Sequence, residues 1–385
     1  MASNDKLTSS RVAIIGAGVS GLAAAKHLAH HNPIVFEASD SVGGVWNSCT
    51  YETTKLQSTR VDYEFSDFPW PNRDDTTFPS YAEILDYLES YAKHFDLLKF
   101  MKFGSKVIKV RYTGDGGTPQ MVDLGAYSHS LPEKPVWEVA VQNGDAGEIQ
   151  RAVVSKFIES YVTWKLPLEK YGLKPDHSFE EDYASCQMAI IPENFFEEAD
   201  KGMIRFKKTS KWCFYDEGIE FEDGTTLESD VVILATGYDG KKKLKAIVPE
   251  PFRTWLEFPC GVMPLYRGTI HPLIPNMGFV GYVQSNSNLH TSELRSMWLS
   301  RLVDGKFELP SKEQMLDQFS KEMEVMRRSS RFYKRHCIST FSIQHADDLC
   351  NDMGLNPWRK SNLFLEAFSP YGSQDYRLAQ EETNI

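Results

Sequence analysis

Gly16-Ala17-Gly18-Val19-Ser20-Gly21 stands between an apolar β-branched run and an Ala- and Leu-rich stretch, and glycines at that spacing cradle a pyrophosphate. Residues 11–15 read as a buried parallel strand, and residues 19–31 as the helix that follows it. Gly16 permits the tight turn, Gly18 lets a pyrophosphate approach the backbone, and Gly21 lets the helix pack closely on the strand. Ala17, Val19 and Ser20 complete the fingerprint. The phosphates then sit on unpaired N–H groups at the positive end of the helix dipole.

The residues that follow narrow the nucleotide. Residues 33–37, Pro-Ile-Val-Phe-Glu, form a second short strand, and Glu37 falls 21 positions after Gly16, where a ribose hydroxyl acceptor is expected. A carboxylate there accepts from ribose and repels a 2′-phosphate, which suits FAD or NAD and disfavours NADP. Gly43-Gly44-Val45-Trp46 comes shortly after, and paired glycines allow a loop to pass tightly over a longer cofactor, which favours FAD. Much further on, Val231 to Ala235 is an apolar run between polar flanks, read as a strand buried on both faces. It ends in Thr236-Gly237, at the C-terminal strand end where open α/β sheets bind ligands.

These motifs, together with Phe65-Ser66-Asp67-Phe68-Pro69-Trp70-Pro71 and Ala235 to Tyr238, resemble the flavin-containing monooxygenases. The similarity to the plant branch is close over residues 10–150 and 195–375. The resemblance implies that NADPH reduces FAD, that O2 adds to the reduced ring, and that the resulting flavin hydroperoxide gives one oxygen atom to the nucleophilic nitrogen or sulfur of a small amine or sulfide. It implies no metal and no catalytic triad, and the scattered histidines offer neither.

Two features depart from the family pattern. A second glycine fingerprint for NADPH is absent, as is the Phe-x-Gly-x-x-x-His motif that precedes it. The resemblance runs to Trp137–Val141 and resumes from Arg151, skipping most of a nicotinamide domain, for which residues 151–228 are too few. The alternative to an active monooxygenase is therefore an FAD-binding remnant that NADPH cannot reduce well. Because only one strand ending in Thr-Gly remains, residues 231–237 are expected to take a place in the FAD sheet beside residues 11–15.

The resemblance also places Gln57 beside the flavin, as an amide on a longer side chain than the family's Asn. The alternative is a solvent-facing loop residue. Gly278-Phe279-Val280-Gly281 resembles the segment that closes the isoalloxazine pocket, which makes Gln284 and Asn288 either pocket groups or loop caps.

The elements that must hold these residues give an α/β class: a Rossmann-type FAD-binding fold with a small β-meander and a helical C-terminal part. Residues 10–150 form the N-terminal part of the FAD domain, 151–228 a truncated remnant of the NADPH region, and 229–385 the return strand, pocket-closing segment and helices. Helices are expected over 81–95, 151–164, 193–201 and 311–328, the meander over 107–112, 121–124 and 136–141, a hairpin turn at Glu222-Asp223-Gly224, and a mobile polar tail after Asp375. With 41% apolar and 25% charged residues and a net charge of -11, the 385-residue chain reads as globular and not as a nucleic-acid binder. No run reaches the ~18 apolar residues that span a bilayer, and the N-terminus lacks a signal-peptide core. A cytoplasmic setting follows as an expectation. Six cysteines without C-x-x-C or metal spacing then read as reduced thiols.

Overall fold

The computed structural model describes residues 12–72, 77–110, 158–187, 191–234, 241–257, 261–285 and 287–377. The chain divides into two units: residues 1–145, 181–188 and 243–385 in one, and residues 146–180 and 189–242 in the other.

In the first unit, strand β1 (Ala13–Ile15) leads through helix α1 (Val19–His27) to strand β2 (Ile34–Phe36), which pairs with β1 in parallel. This is the βαβ unit expected from the fingerprint. The helix stops four residues before the expected His31. A 3-10 turn covers Ala29–His31, and Asn32 closes it in the left-handed region at φ 49°. Asparagine tolerates the left-handed region, so Asn32 can end the 3-10 turn just before Pro33.

Helix α2 (Tyr81–His94) begins where expected, because Ser80 and Glu83 form a reciprocal capping box. Its Tyr91 stacks on Phe65 at 3.8 Å and its Tyr87 on Trp70 at 4.2 Å. The 65–71 run is thus an aromatic wedge on α2. Strand β3 (Met101–Lys102) joins β2 on the side away from β1, completing a parallel sheet in the order β1-β2-β3.

Strand β1 departs from the sequence reading. It lies at the sheet edge with only Ile14 buried, and Ile15 is 51% exposed. Among the described residues β2 is its one partner strand.

The second unit contains an antiparallel meander of β4 (Trp212–Tyr215), β5 (Gly218–Phe221) and β6 (Thr226–Glu228). The turn at Glu222-Asp223-Gly224 joins the last two as expected, with Gly224 at φ 77°. The meander expected earlier in the chain is not seen where it can be checked. Residues 107–110 carry no strand, and the rest of that span lies outside the described residues.

Residues 231–234 correct another expectation. They follow β6 without joining either sheet, and Val231, Ile233 and Leu234 are 73%, 85% and 57% exposed. The run does not enter the sheet beside β1, so its apolar composition is left without the partner that would bury it. Thr236 and Gly237 lie outside the described residues.

Helices complete the first unit. Helix α3 (Asn288–Val303) packs along α1, and α4 (Lys312–Ser329) buries Met315, Phe319, Met323 and Met326. Helix α5 (Ser342–Asp352) is held by Arg267, whose guanidinium bonds Asp348 and Asp352 at 2.6 and 2.8 Å. None of the described helices is long and apolar enough to cross a membrane.

The cysteines require a further correction. Cys186 and Cys337 form a disulfide with Cα atoms 5.8 Å apart, whereas Cys49, Cys213 and Cys350 are free. A separation of 151 residues leaves no local spacing signal. Folding creates the proximity: the Ser339 hydroxyl donates to the Tyr183 carbonyl, and Cys337 pairs with Gln284 in a parallel bridge.

The capping box yields a direct check on α2. Ser80→Ala is expected to lower stability by about 1 kcal/mol, read as a lower urea midpoint; an unchanged midpoint would show that the cap contributes nothing.

Candidate functional site

Two glycine contacts build the site. Gly16 turns at φ +97° and its amide donates to the Phe36 carbonyl at 2.8 Å, which ties the end of β1 to the end of β2. A Cβ on Gly21 would lie 1.9 Å from the Gly16 carbonyl oxygen, so the first turn of α1 presses on the loop with no room for a side chain. The Gly43-Gly44 turn makes the second contact. The Gly43 amide donates to the Ala17 carbonyl at 3.0 Å, and a Cβ on Gly44 would stand 3.0 Å from the Gly18 Cα. Gly18 therefore serves the approach of this turn as well as the approach expected of a phosphate.

The start of α1 is left open by this arrangement. Gly18 is its N-cap, and no side chain caps the helix. Space around the Cβ direction of Gly16 is empty to 4 Å. An uncapped helix start beside empty space is a site for an anion.

Glu37 closes one side. Its Oε2 accepts from the Ala17 amide at 2.6 Å, and its Oε1 accepts from the Ser39 amide and hydroxyl at 2.8 and 2.7 Å. Burial pushes its carboxyl up, but the bonds from Ser39 and Ala17 outweigh burial and hold it below the usual carboxylate value. It is ionised at neutral pH. The Ala38 amide adds a fourth donor, which fills the roughly four lone-pair sites of the carboxylate, so a ribose hydroxyl must share or replace one of these bonds. Amides for phosphate and a carboxylate for ribose are the donor and acceptor set of a dinucleotide, and these residues fit FAD.

The opposite wall comes from far along the chain. Gly281, at φ +87°, approaches α1 so closely that a Cβ on it would lie 2.3 Å from the Ser20 hydroxyl. That hydroxyl also pairs with Ser292 of α3 at 2.8 Å. The segment that the family resemblance assigns to the ring end thus reaches the fingerprint. Gln284 has an exposed side chain, while its backbone is bonded to His336 and Ile338. Asn288 accepts from the Ser285 amide at 3.2 Å and so acts as a loop cap. Gln57 is exposed at a bend after buried Leu56. Val45 is exposed, and the Trp46 indole donates to the Tyr63 hydroxyl at 3.1 Å.

The sequence reading missed Ser292 and Glu293. Glu293 is fully buried and accepts from the Ser66 amide and hydroxyl at 2.9 and 3.1 Å, binding the aromatic wedge to α3. Burial pushes its carboxyl up to about 7, against the opposing charge of Lys26 and with the help of Asp67. Nothing local in the sequence marks it, since its partner Ser66 is 227 residues away.

Two measurements test this geometry. Gly21→Ala places a methyl group on a backbone oxygen, which no side-chain rotation relieves, so a lower melting temperature and loss of bound nucleotide are expected; wild-type values for both would refute the close contact. Glu293 binds its proton more tightly folded than unfolded, so the native state holds more protons between the ordinary carboxylate range and about pH 7. Stability must then fall as pH rises through that window. Glu293→Gln should flatten this slope in urea titrations at several pH values, and a slope identical to wild type would contradict the assignment.

Comparison with known proteins identifies the family. A family model described as "Flavin-binding monooxygenase-like" matches residues 9–140 and 146–378. The chain is 66% identical to the Arabidopsis thaliana protein described as "Probable flavin-containing monooxygenase 1", over 524 residues that take in 99% of each chain. That aligned length exceeds the 385 residues of this chain, so the relative carries residues with no counterpart here. Among solved structures, S-allyl-L-cysteine S-oxygenase from Allium sativum superposes with a TM-score of 0.56 at 18% identity, covering 97% of this chain and 94% of that one. Tmm from a Pelagibacter strain gives 0.55 at 16% identity, covering 96% and 90%. At such identities the likeness is one of fold.

Proposed function

The chain belongs to the flavin-binding monooxygenase family, on its plant branch, and we propose that it binds FAD at the start of α1 and acts as an NADPH-dependent monooxygenase. The proposed reaction places one oxygen atom of O2 on a nucleophilic nitrogen or sulfur of a small molecule. One observation carries the reading: the uncapped start of α1 is framed by Gly16, Gly21, the Gly43-Gly44 turn and the ionised Glu37. When bound, FAD supplies the redox chemistry and the activation of O2.

The chain's own groups bind and orient. Amides at the start of α1 receive the pyrophosphate, and Glu37 accepts from the ribose hydroxyls while its charge repels a 2′-phosphate. This site therefore selects FAD over NADP. The Gly43-Gly44 turn lies over the fingerprint, and the 278–284 segment reaches it from the other side through Gly281. We assign Gln57 and Gln284, both exposed amides, as donors at the ring end.

A second reading rests on a specific observation. The apolar run 231–234 is exposed and joins neither sheet, the sequence has no second glycine fingerprint, and the Arabidopsis relative carries residues that this chain lacks. These support a chain that has lost most of its NADPH-binding region and holds FAD without efficient reduction by NADPH.

Anaerobic stopped-flow on the purified chain separates the two. Co-purified flavin whose visible band bleaches rapidly with NADPH supports the monooxygenase. Flavin that bleaches with dithionite but not with NADPH supports the second reading. A chain that neither co-purifies with FAD nor takes it up overturns both.

A further inference from the structure

The exits of α1 and α3 converge on three side chains that the proposed chemistry does not use. After α1, the Ala29–His31 turn carries two adjacent histidines, and Asp304 closes α3. His30 Nε2 lies 2.9 Å and His31 Nε2 2.7 Å from the same Asp304 Oδ1, and all three atoms fall within 4.8 Å of one another. Consecutive side chains commonly diverge. Here the 3-10 turn brings the two rings to a centroid separation of 4.1 Å on the side that Asp304 occupies.

We propose that His30, His31 and Asp304 form a binding site for a divalent cation of the zinc class. Two imidazole nitrogens and one carboxylate oxygen are the ligand set that borderline ions take, at about 2.0–2.2 Å from the metal. Ligands at those lengths around a tetrahedral centre stand roughly 3.3–3.5 Å apart. The two histidine nitrogens, at 2.9 and 2.7 Å from the Asp304 oxygen, stand closer to it than this by roughly 0.4–0.8 Å, and all three atoms lie within 4.8 Å of one another, so the imidazoles must swing outward from the carboxylate to admit an ion. His30, with a side chain 53% exposed, has the most freedom to do so, and His31 and Asp304, at 9% and 24%, are more closely held. The open side at His30 leaves a fourth position to water. Magnesium and calcium prefer oxygen ligands and are poorly matched to a site in which two of three donors are nitrogen.

The location gives the ion a structural consequence. Helices α1 and α3 run side by side in the same direction, linked by Ser20–Ser292 near their starts and by the Ser300 hydroxyl donating to the His27 carbonyl near the end of α1. A cation at His30, His31 and Asp304 ties the far end of the same pair. It therefore stabilises the helix packing that presents the fingerprint, without touching the nucleotide.

The test uses the full chain after chelator treatment and dialysis, titrated with ZnCl2 by calorimetry and with CoCl2 by visible spectroscopy. One saturating equivalent of zinc is expected, with a raised melting temperature and no comparable response to MgCl2. Cobalt should give a ligand-field spectrum without a thiolate charge-transfer band, which separates this site from the exposed thiols of Cys49 and Cys213. His30→Gln and Asp304→Asn should each weaken zinc binding by about tenfold or more. If Asp304→Asn fails to fold, His30→Gln decides alone, since its exposed side chain leaves the packing intact. Absence of saturable binding in the wild type, a thiolate band, or unchanged affinity in His30→Gln would overturn the proposal.

Discussion

The contact between Gly21 and the Gly16 carbonyl is the constraint on which the rest of the first unit depends. It sets α1 against the end of β1 with no side chain between them. From that position Ser20 reaches Ser292, Ser300 reaches the His27 carbonyl, and Asp304 meets the histidines that follow α1. A methyl group at position 21 would displace α1 and open every one of these links in turn. The helix also carries Leu22, Ala23 and Ala25 into the core, small enough for close approach to its neighbours.

Two buried carboxyls show how environment assigns opposite states to one chemical group. Glu37 and Glu293 both lose solvent, and both accept from a serine amide and hydroxyl. Glu37 takes a further amide from Ala17 at the loop before α1 and stays ionised. Glu293 lies deeper and near Asp67, so burial dominates and its carboxyl rises toward neutrality. The ionised one faces the loop before α1. The other joins α3 to the aromatic wedge, where a full charge would be costly.

The parallel sheet is narrow among the described residues. Among the described residues β1 pairs with β2 alone, and its Ile15 side chain is exposed. A doubly wound sheet continues past its first strand on both sides. The apolar run that could have extended it is exposed in the other unit, joined to neither sheet. The glycine turn and Glu37 are thus framed by intact contacts within the first unit.

Local rules made several elements legible. Glycine spacing, the acid after β2, the capping signal at Ser80 and the Asp-Gly turn each act through residues a few positions apart, and each appears where its chemistry places it. The expected helix end at His31 is replaced by a 3-10 turn that Asn32 closes. The other corrections are mostly long-range. Residues 231–234 have every property of a buried strand except a partner, and burial is a property of partners. Cys186 and Cys337, Ser66 and Glu293, and Ser20 and Gly281 are joined only because helices fold back over the sheet. The sequence by itself determined the glycine turn between β1 and α1, because its hydrogen bonds and steric limits act within a few residues. The tertiary structure alone decided which distant groups wall that turn, which cysteines join and which apolar run stays exposed, because each depends on chain closure over hundreds of residues that no local pattern encodes.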